Sequence, residues 1–143
     1  MDPNIGSAII SLIFFFLLIG LSFLPLIIKK PQGPNRFGPD VPPQEFGGAI
    51  ATCWRNYVNF QGRASRSEYW WFYLFVFIVS LVPIIGLASV LLIIPQWAAA
   101  VRRLHDINRS GWWVLISFTG FGIITLIVML AQPSHSNRQA DVF

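Results

Sequence analysis

Charge is what this sequence has least of. Only 11% of its 143 residues are Asp, Glu, Lys or Arg, whereas a water-soluble domain carries about a quarter. Cysteine occurs once, at Cys53, which excludes an internal disulfide. No CxxC pair and no Cys/His cluster with metal-ligand spacing is present, so no metal site is expected. The net charge of +4 does not point to nucleic acid, because the basic residues are scattered between apolar runs rather than gathered into one patch.

What the sequence has is apolar length. Hydrophobic residues make up 55% of it, with a mean hydropathy of +0.61. Ile5 to Ile28, Tyr69 to Val101 and Gly111 to His135 are runs without Asp, Glu, Lys or Arg. Roughly 20 apolar residues span the hydrocarbon core of a bilayer, so the expected fold class is an all-α integral membrane protein. The first run is too long for a signal-peptide core and follows MDPN, which has no basic residue. Lys29 and Lys30 close it in the manner of a stop-transfer signal, so it is expected to remain attached.

The middle run is too long for one span, since a straight helix over 69–101 would extend about 50 Å. Pro83 and Gly86 in LVPIIG offer a break. Four transmembrane helices are expected, at about 5–28, 67–82, 86–104 and 112–131, with a re-entrant hairpin as the rival for the middle pair. The loops containing 29–68 and 102–111 then share one side and hold nine of the ten basic residues, leaving only Arg138 opposite. The positive-inside rule makes those loops cytoplasmic and puts both termini outside. A single middle helix would instead strand Arg102 and Arg103 outside.

Between the spans, Pro31 to Pro43 is rich in Pro and Gly and reads as an irregular linker. In about 46–60, Phe46, Ala49, Ile50, Cys53, Trp54, Tyr57 and Val58 recur at helical spacing, as in an amphipathic helix lying in the membrane interface. Ser65-Arg66-Ser67-Glu68 matches a capping box that would start the next helix. The chain therefore divides into a helix at 1–30, a cytoplasmic linker at 31–45, a membrane domain at 46–132 and a polar tail at 133–143.

Two stretches carry a family resemblance: FGGAIATCWRNYVNFQGRASRSEYWWFYLF, and IPQWAAAVRRLHDINRSGWW. Together, over about residues 46–131, they resemble the bacterial inner-membrane family known as domain of unknown function 805. The family pattern includes GRxxRxE followed by an aromatic and WW, then RRLHD, then SGWW. Its usual C-terminal tail, like GxNRFGPDP, is matched here by GPNRFGPDV at 33–41, ahead of the domain. SHSNRQADVF at the C-terminus is at best a degraded copy. The resemblance implies an inner-membrane location and no known reaction.

The polar residues that a function would use are Arg63, Arg66, Glu68, Arg102, Arg103, His105, Asp106 and Arg109. His105 and Asp106 are adjacent, so on a helix they point about 100° apart and do not form a preformed dyad. The plainer expectation is that Asp106 and Glu68 pair with arginines and tie helix ends together. The arginines could instead hold anionic lipid phosphates. No acidic or basic residue lies deep in an expected span, which argues against an ion path. Neither His105 nor His135 lies within a span, which argues against an axial haem ligand, and no cofactor is expected. The leading expectation is a non-enzymatic accessory subunit of a membrane protein complex, or a self-associating scaffold. Alternatives are a lipid- or solute-binding, transport-related protein using the arginines, and a membrane enzyme using His105 and Asp106. The first helix, with Gly6, Gly20 and Phe14 to Phe16, is expected to meet a partner while tethered flexibly to the rest.

Overall fold

The computed structural model describes residues 3–82 and 87–137. The expected break at Pro83 and Gly86, and Arg138 beyond the last span, lie outside the described residues. Helices, turns and irregular segments make up the described chain, with no strand among the described residues. The elements are α1 (Pro3–Ile27), α2 (Phe46–Arg55), α3 (Arg66–Ser80), α4 (Ile93–Asp106) and α5 (Gly122–Ala131). A 3-10 helix over Leu87–Leu92 leads into α4, and a second over Gly111–Thr119 precedes α5.

α1 and α3 fall within two residues of the expected spans. Among the described residues, α1 is the one helix long and apolar enough to cross a membrane by itself. α2 is shorter than expected and stops at Arg55 rather than near residue 60. Asn56 is the reason: its amide and its side-chain Nδ2 both donate to the Thr52 carbonyl, at 3.0 and 2.9 Å. A short polar side chain that bonds nearby backbone competes with the helix ladder.

The expected span at 112–131 is not one helix but a hairpin. Gly111 lies against Val101 and His105 while the Leu130 and Gln132 carbonyls meet Arg103, so both of its ends stand at the end of α4. Gly120 has φ of +78°, and Gly122 is so tightly placed that a Cβ there would lie 1.9 Å from the Ile116 carbonyl oxygen. Thr119 Oγ1 accepts from the Gly122 amide at 3.1 Å and starts α5 afresh. α5 then buries Gly122, Thr125, Leu126, Met129 and Leu130, a stripe at helical spacing.

The core is small and lies toward one end of the bundle. Cys53, Phe72, Ala99, Leu104, Ile107, Met129 and Leu130 meet there, where Ala98 to Ala100 let neighbouring backbones approach α4 closely. Elsewhere large apolar side chains face outward, including Phe14 at 61% and Phe118 at 73% exposure.

The expectation that the first helix is loosely tethered is corrected. α1 packs on the 3-10 helix Gly111–Thr119 and on α5. Ser22 is fully buried with its hydroxyl 2.5 Å from that of Thr119, and Phe15 meets Phe121 edge-on. The linker is irregular, as its composition requires, but it is docked. Asn35 is 8% exposed and bonded into the end of α4. Side-chain hydrogen bonds to helix-end carbonyls hold it, a tertiary effect that Pro/Gly content does not report.

Candidate functional site

The polar residues converge where α4 ends. LHDINR closes that helix with a Schellman arrangement: the Asn108 amide donates to the His105 carbonyl and the Arg109 amide to the Leu104 carbonyl, both at 2.9 Å. The turn needs one left-handed residue, and Asn108 supplies it with φ of +58°. RRLHD is thus the last turn of a helix, with two carbonyls and four polar side chains facing different neighbours.

Asp106 is the hub. Its carboxylate is fully buried and faces two guanidiniums. Arg63 Nε and Nη2 donate to Oδ1 at 2.9 and 2.7 Å, and Arg103 Nη1 donates to Oδ2. The Ser134 hydroxyl adds a bond to Oδ2 at 2.5 Å. Arg63 also pairs with Asp40 at 2.9 Å and donates to the Gly38 and His135 carbonyls. Arg103 also caps the end of α5 through the Leu130 and Gln132 carbonyls. Carbonyls at a helix C-terminus carry partial negative charge, so a guanidinium there is doubly favoured.

A second pair lies one helical position away. Arg102 Nη1 contacts Glu68 Oε1 at 2.5 Å, and both side chains are at most 3% exposed. Cys53 completes this site, donating to Glu68 at 3.7 Å. Burial, and then the Glu68 carboxylate, pushes the Cys53 thiol up to about 12, so it is not a nucleophile at neutral pH. The capping box is therefore half made. Ser65 Oγ accepts from the Glu68 amide at 3.2 Å, while the Glu68 carboxylate turns inward to Arg102 instead of back to the helix start. A buried guanidinium outbids a backbone amide for the carboxylate.

His105 stands apart from Asp106. Its ring stacks on Phe37 at 3.9 Å with the planes 7° apart, and Nδ1 lies 3.0 Å from the Gly62 carbonyl. Burial lowers its basicity and the Gly62 contact only partly offsets this, so the ring is neutral at pH 7. No His–Asp dyad forms. Arg109 reaches the residue that follows α1 by donating to the Ile28 carbonyl at 2.5 Å. Arg66 is exposed on the first turn of α3 and joins no ion pair among the described residues.

Several residues of this cluster are not candidates from sequence. Asn35 Nδ2 donates to the His105 and Asp106 carbonyls at 2.9 and 3.1 Å. Asp40 accepts from the Asn137 amide and the Ser136 hydroxyl as well as Arg63. These bonds, the Asn137 amide first, hold the Asp40 carboxyl below the usual carboxylate range. The sign in the sequence is the NRFGPD motif itself, which is too polar and specific for a spacer. Its partners, some 70 and 100 residues distant, are not legible from spacing.

Three buried guanidiniums thus face three carboxylates at one end of an all-helical bundle whose remaining exterior is largely apolar. That combination defines an integral membrane protein held together at one face by charge. The family model "Protein of unknown function (DUF805)" matches residues 57–85 and 79–140. The chain belongs to that family. It is 36% identical to Inner membrane protein YhaH of Escherichia coli K12 over a 104-residue alignment covering 59% of this chain and 86% of the relative. It is 42% identical to Inner membrane protein YhaI of the same strain over 103 aligned residues, covering 61% and 87%. No solved structure matches the chain. The protein is accordingly a bacterial inner-membrane protein.

Proposed function

We propose that the protein is a non-enzymatic accessory or scaffold subunit, built of three membrane-crossing helices and a re-entrant helical hairpin and packing beside a larger membrane protein or its own copies. The observation that carries this reading is the consumption of the polar cluster by the fold. Arg63, Arg102, Arg103, Glu68 and Asp106 are all buried and all paired with one another, with Asp40 or with helix-end carbonyls. Such groups clamp helix ends and are not presented to a substrate.

Three crossings fit the element lengths. Residues 87–104 combine 3-10 and α segments and at about 2.0 and 1.5 Å rise per residue reach about 30 Å. The stretched winding lets about 20 residues cross the ~30 Å core. α3 is shorter, at about 22 Å, and crosses with local thinning of the bilayer. Gly111–Thr119 and Gly122–Ala131 instead form a hairpin that starts beside His105 and ends beside Arg103, as a re-entrant element would. The positive-inside distribution supports a cytoplasmic clamp with the start of α1 outside, whereas Ser134 to Asn137, bonded to Asp106 and Asp40, lie on the clamp's own face, against the expected outside C-terminus. Facing outward, α1 offers Phe14 and Phe16, both more than 60% exposed, as a packing edge for a partner.

Native mass spectrometry of the full chain, extracted from its own membrane in mild detergent, tests the reading. A stoichiometric partner or a defined oligomer that disappears with Phe14→Ala plus Phe16→Ala is expected. A monomer carrying only lipid contradicts it.

A further inference from the structure

Beside the clamp, but not part of it, lies a cavity of about 460 Å³ between α4 and the start of the 3-10 helix Gly111–Thr119. Four of its walls are aromatic: Phe37, Phe60, Trp97 and Trp112. No Arg, Lys, Asp or Glu lines it, so a phosphate headgroup or any other ion has no counter-charge inside. Besides the indole N–H groups of Trp97 and Trp112, its polar groups are His105 and Ser110.

The state of His105 is fixed by its neighbours. Nδ1 lies 3.0 Å from a carbonyl oxygen, which only accepts, so Nδ1 carries the proton. The ring is neutral, and Nε2 is left as a lone-pair acceptor. Gly111 keeps that nitrogen open, because a Cβ there would sit 3.1 Å from Nε2. The Ser110 oxygen accepts from the Trp112 amide at 3.4 Å, which leaves its O–H as a donor. An acceptor and a donor in one apolar cavity match a ligand hydroxyl, which donates once and accepts once.

The geometry points to a binding site for a neutral membrane amphiphile with a hydroxylated aromatic head, of the quinol class. Its hydroxyl donates to His105 Nε2, its ring lies among the aromatic walls, and its tail leaves past the exposed Trp112 into lipid. Ring–ring contacts favour an aromatic head over an aliphatic one. The oxidised quinone offers only acceptors, so it leaves Nε2 unpaired and binds less well.

The test is isothermal titration calorimetry of the full-length protein in detergent under anaerobic reducing conditions, using decyl-ubiquinol and 1,2-dioctanoylglycerol. Decyl-ubiquinone is titrated separately without reductant. The quinol is expected to bind about tenfold more tightly than the quinone, the equivalent of one good hydrogen bond. His105→Phe keeps the stacked ring and removes the acceptor, and should abolish the preference. Leu115→Trp, which fills the cavity from a partly exposed wall position, should abolish binding of both. Thermal unfolding of each variant separates lost binding from lost fold. Equal affinity for quinol and quinone, tighter binding of dioctanoylglycerol, or an unchanged preference in folded His105→Phe would overturn the assignment.

Discussion

The RRLHD end of the bundle and its shafts are built on opposite principles. At the RRLHD end, helices meet through buried charge: Asp106 holds Arg63 and Arg103, and Glu68 holds Arg102. Along the shafts there is almost no such fastening. α1 buries only Ser22 and Pro25 among its described side chains, and Phe118 and Phe121 face outward. Shape explains the contrast. In lipid the hydrophobic effect does not drive helices together, so position must come from close packing or polar contacts. Concentrating the polar contacts at one face leaves the shafts free to pack against whatever the membrane offers.

Removing the hub should therefore cost most. Asp106→Ala leaves Arg63 and Arg103 buried without their carboxylate, and a loss of about 3–5 kcal/mol is expected, read as reduced accumulation and a lower Tm in detergent. An unchanged Tm would mean that water or lipid reaches those guanidiniums. Next in size, Asn35→Ala withdraws two bonds from the end of α4. It should cost about 1–3 kcal/mol, although it lies in what composition marks as a linker. A null effect there would return the segment to the status of a loose tether.

Acidification should loosen the strap over the clamp in two steps. His105 and Asp40 are both held below their ordinary values, by burial and by the Asn137 amide respectively. For each, the contribution is complete above the unfolded value and is lost as pH falls toward and through the folded one. Stability should thus be level at pH 7–8 and begin to fall below about 6.5, the ordinary histidine range. A further loss follows in the carboxylate range. His105→Phe should remove the first step and leave the second. Smallest of all, Phe14→Ala on the shaft should change the Tm of the isolated protein by no more than about 0.5 kcal/mol equivalent, the usual effect of a surface substitution. A large effect would show that α1 makes internal contacts beyond Ser22, Pro25 and Phe15.

How much of this is legible in the sequence differs between the same two regions. The apolar runs announce the helices, and the acidic residues among arginines at helix ends announce ion pairs, because a buried carboxylate near guanidiniums has few alternatives. The half-formed capping box is not legible, since Ser65 and Glu68 satisfy the local pattern and only the tertiary position of Arg102 diverts the carboxylate. Nor is the docking of Asn35 and Asp40, whose partners lie far along the chain. The 3-10 winding and the break at Gly120 escape for a different reason. WWVLISFTGFGIITLIV carries no charge and only Ser117, Thr119 and Thr125 as polar side chains, and periodicity cannot divide a helix that lacks a polar face.

The account stands on the charges clamping one another rather than serving chemistry, and a double-mutant cycle on Arg102 and Glu68 tests that most directly. Arg102→Met and Glu68→Leu should each cost about 3 kcal/mol alone, since each leaves an unpaired buried charge. Together they should cost clearly less than the sum, with a coupling above about 1 kcal/mol. Additive single effects, or single changes that leave stability intact, would contradict the clamp and return these residues to a functional role.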